Sequence, residues 1–200
     1  MKIVLASNNR GKLAELHALF APLGLTLLSQ ADLGISEAAE PYRTFVENAL
    51  AKARHAAEHS GLAAVADDAG LCVDAFDGLP GVDTAYYATQ FGYAKSDDNN
   101  VIALLEQMRN VTNRRAALVS TLVAVQNSHD PEPLIAVGRV AGEITHEPLG
   151  SHGFGFDPVM WLPEFGKTFA QLPVEIKNAN SHRGRAARAM VALMRERWRI

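Results

Sequence analysis

Only one cysteine, Cys72, occurs in the 200 residues, so no disulfide can form within the chain. That fits a reducing compartment. Long apolar runs are missing as well. After Lys2 the first apolar stretch, Ile3 to Ala6, is too short for the hydrophobic region of a signal peptide. No segment approaches the roughly 20 residues needed to span a bilayer, which excludes a membrane helix. A basic excess is also absent. The 19 Lys and Arg face 22 Asp and Glu, a net charge of −3 with no long cationic run. This argues against binding to a nucleic-acid polymer. Internal repeats and low-complexity segments are lacking too. The expectation is a cytoplasmic protein with no membrane partner.

What is present suffices for a real core. With 48% hydrophobic and 20% charged residues, the chain reads as one globular domain over residues 1–200, large enough for two lobes. Strand and helix signals alternate. Ile3 to Ala6 is a strand, and Leu13 to Phe20 an amphipathic helix. Leu25 to Leu28 is a second short apolar run. Thr44 and Glu47 form a capping box opening a helix whose Phe45, Ala49, Ala53 and Ala57 share a face. Ala63 to Ala66 reads as a buried strand ending in Asp67-Asp68, with Leu71 to Phe76 extended beyond it. Asn99 to Met108 is a third helix. Ala116 to Val125 and Leu134 to Val140 read as an antiparallel pair. Ser181 caps a last helix that turns Ala187, Met190, Met194 and Trp198 inward. The sum is an α/β protein with a mixed sheet.

Four constellations could carry chemistry. Ser7-Asn8-Asn9-Arg10-Gly11-Lys12 joins the first strand to a helix and offers N–H groups, side-chain amides, a glycine and a cation beside the positive end of a helix. It suits a polyphosphate, or is an ordinary strand-to-helix turn. Asp67 and Asp68, with Glu40 in a loop upstream, are the carboxylates that Mg²⁺ uses when phosphates and waters complete its shell, or a solvated turn. Lys177, His182 and Arg183 surround the start of the last helix, where cations oppose the dipole and an anion would relieve them. In Gly150-Ser151-His152-Gly153-Phe154-Gly155-Phe156-Asp157-Pro158, an exposed Phe beside Asp157 could form a platform for a planar heterocycle, or plug the core. His55-Ala56-Ala57-Glu58-His59 matches the H-x-x-E-H zinc pattern. The helical phase turns both histidines towards water, and no third ligand is evident, so zinc is not expected.

Together these segments describe a nucleoside triphosphate site, and their order carries a resemblance. Ser7-Asn8-Asn9-Arg10-Gly11-Lys12, Thr44-Phe45-x-Glu47-Asn48-Ala49, Ala66-Asp67-Asp68-x-Gly70-Leu71, Leu79-Pro80-Gly81, Gly153-Phe154-Gly155-Phe156-Asp157-Pro158 and Ser181-His182-Arg183-Gly184 follow one another along the chain. The sequence closely resembles the inosine triphosphate pyrophosphatases, the non-canonical purine NTP (XTP/dITP) pyrophosphatases, over essentially its whole length.

The resemblance implies an elongated, mixed, twisted β-sheet flanked by helices, in two lobes with the active-site cleft between them, and a homodimer. It also implies Mg²⁺-dependent cleavage of ITP, dITP and XTP between the α and β phosphates. Ser7, Asn8, Asn9, Arg10, Gly11 and Lys12 would hold the triphosphate. Asp68 would be general base and metal ligand, with Glu40 a further metal contact. Phe154, Gly155, Phe156, Asp157, Lys177, His182 and Arg183 would enclose the base and phosphates. Two departures stand out. Ala69 replaces the usual serine, so a hydroxyl contact is lost while the backbone N–H survives. Pro41-Tyr42 follows Glu40 where Thr-Gly is common, and the proline biases Glu40 towards an extended backbone. Other readings of the same residues are a nucleotide-sensing module without turnover and a phosphatase with an aspartate nucleophile, although the latter's Asp-x-Asp spacing is absent.

Overall fold

The structure, a computed structural model, describes residues 1–200, the side chain of Pro22 excepted. Seven strands form one sheet in the order β2-β1-β3-β4-β5-β6-β7. They are β1 (Lys2–Leu5), β2 (Thr26–Ser29), β3 (Ala63–Val73), β4 (Arg115–Val125), β5 (Leu134–Ile144), β6 (Met160–Leu162) and β7 (Lys167–Thr168). β1 pairs in parallel with β2 and β3, whereas β5–β6 and β6–β7 are antiparallel, so the sheet is mixed. The helices are α1 (Arg10–Phe20), α2 (Phe45–Ser60), α3 (Asp97–Gln107), α4 (Val174–Asn180) and α5 (His182–Leu193). Among the described residues no helix is long and apolar enough to cross a membrane.

Contacts divide the chain into two compact units. The first comprises Met1–Asp68, Ser120–Gly138 and His182–Ile200. Its sheet is covered on both faces, and strand alternation decides which residue faces which helix. Ile3 and Leu5 of β1, Ala63 and Val65 of β3, and Leu122 and Ala124 of β4 pack with Leu16 and Phe20 of α1 and Ala186, Ala187 and Met190 of α5. The intervening Val4, Ala6, Ala64, Ala66, Val123 and Val125 pack with Ala49, Ala53, Ala56 and Ala57 of α2. Alanine dominates that stripe and brings α2 close to the strands.

The second unit comprises Ala69–Val119 and Arg139–Ser181. Its core joins Leu71 and Val73 to Val101, Leu104 and Met108 on the α3 side, and to Phe156, Met160 and Phe169. Asn100 fixes α3 to the 3₁₀ segment Gly81–Phe91, accepting from the Ala88 N–H at 2.8 Å and donating to the Ala85 carbonyl at 3.3 Å.

Several boundaries differ from the sequence reading. α1 begins at Arg10 rather than Leu13, because Asn9 caps it by accepting from the Lys12 N–H at 3.0 Å. β3 does not end at Asp67-Asp68 but continues to Val73. Both carboxylates have cationic partners, so a buried strand can carry them. Beyond it, Asp74–Phe76 is 3₁₀ rather than extended. Lys177 and Asn178 belong to the separate helix α4, and Ser181 lies extended between α4 and α5. The final turn, Met194–Trp198, is π-helical; Met194 is buried and Trp198 half-buried against the core.

Candidate active site

The segment after β1 is a short, internally bonded cap. Ser7 Oγ accepts from the Asn9 N–H at 3.2 Å, and Asn8 Oδ1 accepts from Gln30 Nε2 at 3.1 Å. With Lys12 N–H taken by Asn9, two of the amides expected to meet phosphate are already engaged. Arg10, Gly11 and Lys12 form the first turn of α1, whose positive end faces this segment. Arg10 is exposed, and the Lys12 side chain is 19% exposed.

Alternation along β3 then separates the two aspartates. Asp67 falls in the register of Ala63 and Val65, towards α1 and α5. Its Oδ2 receives Arg183 Nη2 at 3.0 Å and Nε at 3.2 Å, and lies 3.1 Å from Lys12 Nζ. Ser120 Oγ donates to Oδ1 at 2.6 Å. Arg183 also donates through Nη1 to Glu15 Oε2. Burial alone would raise the Asp67 pKa, but the charges of Arg183 and Lys12 and the bond from Ser120 outweigh it. They hold the carboxyl well below the usual range. Asp67 is therefore ionised at neutral pH, a structural anion. Both its oxygens are engaged by side-chain donors, Oδ1 by Ser120 and Oδ2 by Arg183.

Asp68 falls in the register of Ala64 and Ala66, towards α2. Lys52 Nζ donates to Asp68 Oδ1 at 2.8 Å and to Glu40 Oε2 at 2.7 Å, joining the two carboxylates through one ammonium. The other oxygen, Asp68 Oδ2, is buried with no hydrogen-bond partner among the described residues. Burial, with a smaller contribution from Glu40, outweighs the cations Lys52 and Lys12 and pushes the Asp68 pKa up to about 6. Burial of Glu40 is outweighed by its bond to Lys52, and its pKa is lowered. Lys52 stays protonated: burial disfavours its charge, but Asp68 and Glu40 raise its pKa.

The second unit holds the aromatic loop. Phe156 does not line a platform; it is 3% exposed and part of the core. Phe154 is half-buried, and the Lys177 ammonium lies 4.9 Å from its ring centroid. Asp157 Oδ2 accepts from the Phe154 N–H at 2.9 Å and from Lys177 Nζ at 2.7 Å. At Gly153, with φ +82°, a Cβ would fall 2.1 Å from Asp157 Oδ2. Only glycine lets the loop close over that carboxylate.

Of the remaining candidates, Ala69 follows Asp68 on β3 and is half-buried, and His182 is buried at the start of α5. His55 and His59 do not both face water as expected. His55 is half-buried and its Nε2 lies 2.9 Å from the Ser36 carbonyl, because the segment before α2 packs over it; His59 is exposed, with Nδ1 2.8 Å from the His55 carbonyl. Among the described residues no group of three or more His, Cys, Asp or Glu stands in metal-binding geometry.

Sequence reasoning missed Lys52, Glu15 and Ser120. A signal existed for two of them. Lys52 follows Asn48 by four residues and Ala49 by three, placing a cation on the buried flank of α2, and Ser120 shares the alternation of Leu122 and Ala124.

The chain as a whole is similar to known proteins. The model of the Ham1 family matches residues 3–193. A dITP/XTP pyrophosphatase of Albidiferax ferrireducens is 80% identical over 99% of this chain and 100% of its own length. One from Paracidovorax citrulli is 75% identical with the same coverage. Among solved structures, a HAM1 protein from Coxiella burnetii superposes with a TM-score of 0.90 at 39% identity, covering 98% of this chain and 99% of that one.

Proposed function

We propose that this chain, which belongs to the Ham1 family, hydrolyses the non-canonical purine nucleoside triphosphates ITP, dITP and XTP to the monophosphate and pyrophosphate. The observation that carries the reading is the buried, unpartnered Asp68 Oδ2, on a carboxyl whose pKa is pushed up to about 6, beside Glu40 and Lys52. The names of the relatives from Albidiferax ferrireducens and Paracidovorax citrulli agree with it.

Asp68 is the general base. A pKa near 6 leaves it mostly ionised at neutral pH yet basic enough to take a proton from the attacking water, the balance general-base catalysis requires. Oδ1 is held by Lys52, so Oδ2 is the oxygen free to receive that proton. Lys12, fixed by Asp67, supplies positive charge where the departing pyrophosphate gains negative charge. The reaction needs no covalent nucleophile.

The residues fit Mg²⁺. Glu40 Oε2 and Asp68 Oδ1 are hard oxygen donors that already share one cation, the Lys52 ammonium, and Mg²⁺ takes one or two carboxylates beside substrate phosphates. Asp68 and Glu40 would hold it, and Lys52 is the cation balancing the pair in this structure. When bound, Mg²⁺ supplies Lewis-acid stabilisation of phosphate charge.

Phe154 and the loop to Asp157 take the base. Hypoxanthine and xanthine present a 6-oxo acceptor and an N1–H donor, and adenine reverses both. A site matched to the oxo form leaves partners unpaired with adenine and discriminates by orders of magnitude. His182, and Arg183 through Asp67, complete the assignment; Arg183 acts by holding Asp67 rather than by reading the base. We further propose a cytoplasmic homodimer, as the resemblance implies. Steady-state turnover of ITP, ATP and GTP with Mg²⁺ tests the reading: kcat/KM for ITP at least a hundredfold above both is expected, and equal values contradict it.

A further inference from the structure

We infer that Asp97, the first residue of α3, is a positioning residue that sets base affinity by anchoring the aromatic loop. The inference rests on the reading of Phe154 as the base platform. Gly155, between Phe154 and the buried Phe156, has φ +60° and open space where a Cβ would be. Nothing in its own side chain fixes the peptide joining it to Phe154. The Gly155 N–H donates to Asp97 Oδ2 at 2.9 Å, a charge-assisted bond from a separate element. The preceding amide, of Phe154, goes to Asp157, which is itself clamped by Lys177. Two successive amides are thus held by two carboxylates, one within the loop and one outside it.

Asp97 stands on a rigid base. Ser96 caps α3 by accepting from the Asn99 N–H at 3.1 Å, Asn99 Nδ2 donates to the Ala94 carbonyl at 2.8 Å, and buried Asn100 is bonded on both sides. Asp97 itself is exposed, so the core does not need it. A carboxylate on the first turn is favoured by the helix dipole, yet here it also spends an acceptor on a loop amide 58 residues away in sequence. Removing it leaves the Phe154–Gly155 peptide held only at its carbonyl, which accepts from the Asp157 N–H at 3.3 Å, and loosens the seat of the Phe154 ring. The phosphate-side residues Lys12, Lys52 and Asp68 are untouched.

The test compares wild type, Asp97→Ala and Asp97→Asn by calorimetric titration with IMP, which carries the base and no anhydride bond, and with pyrophosphate. Asp97→Ala is expected to weaken IMP about tenfold, the scale of one charge-assisted bond, and to leave pyrophosphate within about twofold. Asp97→Asn, which keeps an acceptor oxygen, restores most of the loss, and in turnover of ITP the Ala change raises KM with kcat little altered. Unchanged IMP affinity in Asp97→Ala overturns the inference. So does a parallel loss for IMP and pyrophosphate without rescue by Asn, which marks a merely structural role. If wild type binds IMP but releases orthophosphate from ITP, the proposed reaction fails while the IMP comparison still decides the role of Asp97. A wild-type chain that does not bind IMP overturns both.

Discussion

Asp67 and Asp68 are consecutive residues of one strand, both buried, yet their environments drive their protonation in opposite directions. Strand alternation is the cause: one carboxylate contacts Arg183, Lys12 and Ser120, whereas the other bonds Lys52, which it shares with Glu40, and feels Lys12 at longer range. Pairs of titratable groups pushed apart in this way separate a structural charge from a reactive one.

Replacing each by asparagine tests that division. Asp67→Asn leaves buried Arg183 with its Glu15 contact but without its main anion, at a cost of roughly 3 kcal/mol or more, a fall in Tm on the order of 10 °C. Asp68→Asn keeps the fold and nucleotide binding but lowers kcat by about a hundredfold or more. Thermal melts and single-variant kinetics check both. Comparable Tm losses in the two variants would erase the distinction.

The raised pKa of Asp68 has a pH signature in protein free of divalent ions. Its folded value of about 6 lies above its ordinary value of 3.8, so the protonated carboxyl is the form the fold favours. The stability this contributes is complete below pH 3.8 and is lost as pH rises through 6. Compared with Asp68→Asn, wild type should match near pH 4 and fall behind steadily by pH 7. For Asp67 the sign reverses: its depressed pKa stabilises the fold above its unfolded value of 3.8, and that is lost as pH falls. Chemical denaturation across pH 4–8 measures the Asp68 difference, and a gap that does not change with pH would contradict the assignment.

Gly138 on β5 sits where α5 begins. A Cβ there would lie 1.9 Å from the His182 carbonyl oxygen and 2.5 Å from the Ala186 amide nitrogen, both backbone atoms that cannot simply turn aside. Gly138→Ala should therefore displace the turn carrying Arg183, costing roughly 3 kcal/mol and lowering activity with it. A variant with wild-type Tm and kcat/KM would mean that α5 accommodates the methyl without moving Arg183.

Much of this was legible in the sequence, and the gaps have physical causes. The α/β pattern and the mixed sheet follow from period-2 and period-3.6 apolar spacing; Thr44 caps α2 as expected, but Glu47 accepts from the Thr44 hydroxyl and not from its backbone N–H, so the capping box is only half formed. Asp67-Asp68 read as a strand end because adjacent carboxylates repel. The strand survives because Lys12, Lys52 and Arg183, from three separate helices, neutralise them, a tertiary fact no window contains. Phe154 and Phe156 could not be told apart within a glycine-rich loop without a core to face. Arg183 was legible as a cation in the right place, but its commitment to Asp67 was not, since the two lie 116 residues apart.

If Asp68 is the base for water attacking the α-phosphorus, the position of the cut reveals it. Hydrolysis of ITP in ¹⁸O water with Mg²⁺, resolved by mass spectrometry, should give IMP carrying the label and unlabelled pyrophosphate, a reaction that Asp68→Asn slows without rerouting. Orthophosphate and IDP as first products, or label in the pyrophosphate, would contradict it.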